Sequence, residues 1–516
     1  MSDVLISGAP SNARLLDVLQ RLLPIHFIGN QRANARSTTL STRDGLPDQS
    51  LVLQVPASTR TCRETGKRPC RVVFADEPEV PFPYRNRVLE TALGDVSSVE
   101  PQSDERVLAR SGERVLWTVR TSDRARRFRS ALPLPSIDHG DSFFDIFNGE
   151  CFLYGLILLE FLRQACPHPR FEPSPLRAAF VIDDPNLHWP RYGSVDFLRL
   201  ASRAHDRRYH VCIGTIPIDS WFAHPEAVRV FRQHKDALSL LIHGNNHAHE
   251  ELATDYSPEA RAGLLSQAIR RIERFECRSG LRVSRVMVPP HGACSAAMLG
   301  DLPPHGFESA CISSGSLRAH NRDQPWVGTL GYAPAESING CPVLPRWALT
   351  GLARSTALTA AYLGQPMIFR GHPKDFKQGL EVFDELAAFI NALGPVRWCD
   401  MSSLSRLNFL WKLDNATLRL RVLGRRTDIE LPPTVAEVIF DAPNNAGEWL
   451  WGEGGSVRGR LKPGVAMSVA NHADRKFHIE RALTPSPAAL GEPPRSSMRF
   501  HLRRFATEAR DRFLSL

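Results

Sequence analysis

The sequence predicts an α/β protein: a deformed (β/α) barrel of seven or eight strands, with an N-terminal α/β domain and a C-terminal β-sandwich. Three observations carry this expectation. Between about 176 and 405, short β-branched or apolar runs alternate with longer segments of helical period, the pattern of βα units around a parallel sheet. Titratable residues recur directly after those runs, where a parallel barrel gathers its loops on one face. After about 412 the runs shorten and turn residues separate them, as in a small sandwich.

Near the N-terminus, ARLLDVLQRLL spaces its leucines for an amphipathic helix, and RVLARSGERVLWTVR predicts a hairpin turning at Ser111-Gly112. Residues 121–150 read as an irregular lead, so 1–150 is expected to be an accessory domain. CFLYGLILLEFL at 151–162 is shorter than the roughly 20 residues of a membrane span. It also carries Glu160, and so reads as a buried helix opening a barrel domain at 151–411. The candidate strands there are RAAFVI (177–182), YHVCIGTI (209–216), ALSLLI (237–242), VSRVMV (283–288), SACISS (309–314), CPVLPR (341–346), QPMIFR (365–370) and PVRWC (395–399). Between them, Leu264, Ile269, Ile272 and Phe275 recur at helical spacing, and Gly280 supplies the stop. TLRLRVLG, DIELP, AEVIFDA, EWLWG, SVRGRL and VAMSVA predict the sandwich at 412–484. A Pro-rich linker, TPSPAALGEPPR, leads through the last segment, 485–516, to a helix lining Phe505, Ala509 and Phe513 along one side. That face suits a partner, a membrane surface or the protein's own body.

At 516 residues the chain is too long for one core, so two or three domains are expected. Its net charge of +9 comes almost wholly from Arg, with seven Lys among the 64 basic residues, and acidic residues are interleaved throughout. A nucleic-acid footprint asks for clustering on one face, so no nucleic-acid partner is expected. No stretch resembles a transmembrane segment or a secretory signal. Ten scattered cysteines show no metal-binding spacing and read as free thiols, which places the chain in the cytoplasm.

The chemistry lies at the strand ends. RAAFVI runs into Asp183 and Asp184, ALSLLI into His243 with His247 four residues on, VSRVMV into Pro289, Pro290, His291 and Gly292, and QPMIFR into Gly371 and His372. In a parallel barrel these four ends open on one mouth. Each piece has a plainer meaning: an Asp before Pro185 suits a helix N-cap, and HGNNH suits a polar turn. Together they suit a divalent ion, zinc above all, which takes imidazole nitrogen and carboxylate oxygen and leaves one position open in a catalytic site. Such an ion lowers the pKa of water to about 7, while a second carboxylate and a separate His act as base and acid. Trp189, Tyr192 and His188, just after the aspartates, are candidates for a sugar-stacking wall.

In this order the motifs resemble those of the polysaccharide deacetylase (NodB-homology) family. AFVIDDP is similar to its TFDDG motif, HGNNH to H-[ST]-x-x-H, VPPHG to R-x-P-x-G, and IFRGH to its late [ILV]-x-L-x-H motif. The resemblance covers about 176–405 and implies a distant branch. It implies Asp183 as general base, Asp184, His243 and His247 as metal ligands, His372 as general acid, and Pro290, His291 and Gly292 beside the substrate. The implied reaction is metal-dependent removal of an acetyl group from an N-acetylated sugar, polysaccharide precursor or glycoconjugate. Hydrolysis of another amide or ester is one alternative, and an inactive carbohydrate-binding protein is another. Departures stand at Val288, where the family has the Arg that orients the base, at Gly244 in place of Ser or Thr, and at Pro185 in place of Gly. The family's D-x-x-D-W motif has only RDQPW at 322–326 as a stand-in.

Overall fold

The computed structural model describes residues 2–7, 13–30, 37–42, 50–56, 68–94, 96–135, 137, 141–147, 152–166, 170–322, 328–442, 448–453, 456–469, 475–482 and 497–513. Most of RDQPW and the linker at 484–495 therefore lie outside the described residues. The chain divides into two units: Met1–Arg170 with Pro325–Ala333 and Arg354–Leu363, and Phe171–Gln324 with Pro334–Ala353 and Gly364–Leu516.

The first unit is built on a nine-stranded sheet. Ser2–Ser7 and Ile25–Asn30 pair in parallel, joined by the helix Ala13–Leu22, which buries Leu15, Val18 and Leu19. The predicted hairpin is present as Arg106–Ser111 against Arg114–Thr121, with Gly112 at φ 58° in its turn. The helix Phe152–Ala165 is apolar on almost every side and belongs to this unit. Phe161 meets Phe128 of the sheet edge to face at 6.4 Å.

The second unit contains the curled sheet that carries the site. All eight predicted runs contribute strands: Arg177–Asp183, Val211–Thr215, Leu238–His243, Val283–Val288, Ser309–Cys311, Cys341–Leu344, Met367–Gly371 and Arg397–Trp398. The parallel neighbours run in the order Cys341–Leu344, Ser309–Cys311, Val283–Val288, Leu238–His243, Val211–Thr215, Arg177–Asp183, Met367–Gly371, and Trp347–Ala348 flanks the last of them. Cys341–Leu344 thus lies toward one edge and Trp347–Ala348 at the other, yet only Pro345 and Arg346 separate them. Three Cα steps span at most about 11 Å. The sheet must curl until its edges nearly meet, and Arg346 sits in the crossing.

Side chains alternate across a strand, so residues two apart share a face. Ala179 and Val181, Cys212, Leu241, Val286 and Val288, Cys311, Leu344 and Ile368 form one buried cluster with Met401 and Leu404 of the helix Met401–Arg406. By that alternation Asp183 and His243 continue the same inward face at the strands' C-terminal ends.

Beyond residue 408 the predicted short strands form two sheets. One comprises Glu172–Pro173, Phe409–Asp414, Thr417–Val422, Glu437–Asp441 and Met467–Ser468; the other comprises Arg426–Glu430, Lys476–Arg481, Trp449–Glu453 and Ser456–Leu461. Leu420 and Phe440 of the first share a buried cluster with Ile429, Trp449 and Ile479 of the second. The helix Met498–Phe513 follows. Among the described residues no helix is long and apolar enough to cross a membrane.

Candidate metal and catalytic centre

Every residue of Arg177–Asp183 is buried, so Asp183 enters the mouth with 2% of its surface exposed. Asp184 follows at φ 86°, a conformation rare outside glycine. The strand ends there without starting a helix: the next helix, Phe197–Arg207, is capped by Asp196, whose side chain accepts from Arg199 N. The N-cap reading of the DDP stretch therefore does not apply.

The two carboxylates face different partners. Asp184 Oδ1 lies 3.3 Å from His243 Nε2 and 3.0 Å from His247 Nε2. These separations approach the ~3.4 Å expected between ligands of a tetrahedral ion with bonds of about 2.1 Å. The three ligand atoms all lie within 4.8 Å of one another, so Asp184, His243 and His247 could hold a divalent ion. His243 Nδ1 is 2.9 Å from the carbonyl oxygen of Val288. That carbonyl can only accept, so Nδ1 carries the proton and Nε2 keeps its lone pair for the centre.

Asp183 pairs instead with Arg346, whose Nη1 donates to its two oxygens at 3.1 and 2.9 Å. Burial raises the Asp183 pKa, but the guanidinium and then His243 outweigh it, holding the carboxyl below its ordinary value. Burial likewise opposes ionisation of Asp184, and the hydrogen bonds of His243 and His247 hold it well below. For His243, burial acts downward, while Asp183 and Asp184 bring the pKa above the usual value.

Arg346 was not anticipated as a site residue, although CPVLPR ends in it. From the two-residue crossing between Cys341–Leu344 and Trp347–Ala348 it supplies the cation absent at Val288, whose side chain is fully buried. Gly214 is a second unanticipated contributor: on the strand between Asp183 and His243, a Cβ there would lie 3.3 Å from Asp183 Cα and 3.4 Å from His243 Cβ. Glu251 is a third. It is 1% exposed, and its carboxylate accepts the N–H groups of Asn245, Asn246 and His247 at 2.7, 2.9 and 3.0 Å, fixing the loop between the two histidines. Arg271 Nη1 adds bonds to Asn245 Oδ1 at 2.5 Å and Asn246 Oδ1 at 2.9 Å. Gly244 has φ 65°, and a Cβ there would collide with Glu251 and Pro290, so this loop cannot take the Ser or Thr of the similar motif.

The remaining predicted residues separate. His291, at φ 57°, puts its ring 5.3 Å from that of His247. Pro290 and Gly292 are buried in the turn that holds it. His372 caps the turn Pro373–Phe376, its N–H donating to Asp375 Oδ2 at 2.8 Å, and its half-buried ring is near enough to affect Asp183. Trp189 is 57% exposed on the rim, but Tyr192 is completely buried and packs inside instead of forming a stacking wall. His188 is held by its Nε2 2.8 Å from the Asp219 carbonyl.

No family model matches this chain, and no curated protein sequence matches it. Among solved structures it resembles the carbohydrate deacetylase Agd3, with a TM-score of 0.45 and 9% identity over 94% of this chain and 98% of that one. A putative polysaccharide deacetylase from Mycobacterium smegmatis gives a TM-score of 0.32 and 15% identity over 45% of this chain and 89% of that one. A CE4 family pseudoenzyme from Bacillus anthracis gives 0.26 and 12% over 47% and 70%. These are distant likenesses.

Proposed function

We propose that the mouth of the curled sheet is a zinc-dependent deacetylase site acting on an acetylated sugar, polysaccharide precursor or glycoconjugate, within a deformed barrel flanked by an accessory N-terminal domain and a C-terminal β-sandwich. The observation that carries this reading is the division of labour between adjacent carboxylates: Asp184 converges with two imidazoles, while Asp183 is held by a buried guanidinium. With Asp184, His243 and His247 as ligands, zinc would supply Lewis acidity at the acetyl carbonyl and lower the pKa of water to about 7.

The chain's own groups supply the proton transfers. Asp183 stays ionised because Arg346 compensates its charge, so it can accept the proton of the attacking water. Arg346 occupies both of its oxygens and orients the carboxylate. His372, half-buried at the same mouth, donates a proton to the departing sugar nitrogen or oxygen. Water and the acetylated sugar thus become acetate and the free amine or alcohol. The Asp183–Arg346 pair also supports a hydrolase over a purely binding protein, since a glycan-binding site has no use for a buried, oriented base.

Acetate release from N-acetylglucosamine oligomers by zinc-loaded protein tests the reading. Turnover lost on chelation and restored by zinc is expected. A protein that binds zinc and the oligomer but releases no acetate is instead a binding protein.

A further inference from the structure

Two charged side chains of the C-terminal helix Met498–Phe513 reach loops of the unit it belongs to. Arg504 is 4% exposed and donates from Nε and Nη2 to Asp219 Oδ2 at 3.1 and 2.6 Å. One turn on, Glu508 Oε1 lies 3.4 Å from His188 Nδ1. Met498, Leu502 and Phe505 face solvent. Asp219 ends the short turn Pro217–Asp219 that follows the strand Val211–Thr215. Within that turn Ile218 donates its N–H to Asn245 O at 3.0 Å, in the loop between His243 and His247. The helix therefore grips two loops of the mouth, one after Asp184 and one beside the histidine loop.

Those loops carry an exposed aromatic rim. Trp189, Trp221 and Phe222 are 57%, 65% and 42% exposed. The His188 ring lies 4.9 Å from Trp221 and 6.1 Å from Phe222, and Trp189 stacks toward His224 at 6.4 Å. Exposed aromatic groups gathered in one place mark a binding surface. Their flat apolar faces suit the C–H face of a sugar ring.

We infer that Trp189, Trp221 and Phe222 form a stacking shelf for a neighbouring ring of an acetylated oligosaccharide, and that Arg504 is a positioning residue that sets this shelf through Asp219. The inference rests on the carbohydrate reading of the mouth.

The test follows binding of an N-acetylglucosamine hexamer to the full-length zinc-loaded protein by calorimetry, alongside acetate release. Trp221→Ala is expected to weaken hexamer binding about tenfold. Arg504→Ala, checked for folding by circular dichroism, should weaken it comparably, and Arg504→Lys should retain most of it. In turnover the loss should fall on KM and not on kcat. Undiminished hexamer binding by Trp221→Ala overturns the shelf, as does a wild-type protein that binds no hexamer, or one whose Trp221 instead governs binding to vesicles of anionic lipid. Hexamer binding that depends on Trp221 without any acetate release leaves the shelf standing and removes the deacetylase reading. Acetate release with Trp221→Ala binding the hexamer like wild type does the reverse.

Discussion

The strand Arg177–Asp183 carries a buried charge at each end, and the two ends are treated in opposite ways. Arg177, 1% exposed, donates to neutral acceptors, Gly364 O at 3.1 Å and Asn408 Oδ1 at 2.7 Å. No carboxylate is among its described partners, and burial pushes its pKa down to about 9. Asp183 is equally buried but meets a full opposite charge, Arg346, and stays ionised. The first arrangement ties the strand to the segment before Phe409 and presents nothing to a ligand. The second holds an ionised carboxylate at the mouth beside the imidazoles that converge on Asp184. Burial of charge is thus common to both ends, and what separates them is whether donors and acceptors are left aimed at a shared point. In parallel barrels, the end where strands begin serves stability and the end where they finish serves chemistry.

Substitutions at the mouth should give the largest effects. Asp183→Asn is expected to retain zinc while lowering acetate release by about 10³-fold; full activity would remove it as the base. Asp184→Asn should lose most of the bound zinc, measured by metal analysis after gel filtration, and activity should fall with it. Arg346→Ala should come next. It strips a buried carboxylate of its partner, so a loss of stability of about 3 to 5 kcal/mol should accompany a drop in turnover of roughly 10²-fold, with zinc retained. Zinc loss in this variant would mean that Arg346 organises the ligands and not the base.

At the other end Arg177→Met should cost about 3 kcal/mol in urea unfolding, from two hydrogen bonds to a charged donor. Zinc affinity and kcat should be unchanged, and a change in either would blur the division between the ends. The smallest effect should come from His210, just before Val211–Thr215, buried with its ring nitrogens 2.8 Å from Asp236 O and Ser239 Oγ. Burial lowers its pKa. As pH falls below about 6.5, the unfolded chain takes up a proton that the folded one resists, so stability is lost toward acid. His210→Gln should flatten that limb of the pH–stability curve, measured by thermal unfolding.

Much of this was legible along the chain. Strands buried on both faces must be apolar runs, so all eight could be placed, and a polar residue ending such a run had to lie at the mouth. That reasoning puts Asp183, Asp184, His243 and His247 at strand ends, and the structure brings the last three close together. Tyr192 and Trp189 looked alike as rim aromatics, because residue type does not reveal burial, and only the fold put one inside and the other out. Likewise Asp184 next to Pro185 suits a cap or a ligand equally until its φ of 86° decides.

By itself the sequence determined the eight strand runs between 176 and 405 and which titratable residues stand at their ends, because both follow from local periodicity. Of the first unit's strands it showed only the hairpin, and Ala125–Ser130, in the segment that reads as irregular, is a strand of the nine-stranded sheet. Only the tertiary structure decided who completes the centre. Arg346 lies 163 residues from Asp183 and reaches it because the sheet curls enough for two residues to cross between its edges. Glu251 matters through three backbone N–H groups, and Gly214 through the side chain it lacks. Those roles depend on register and curvature, which no run of residue types encodes.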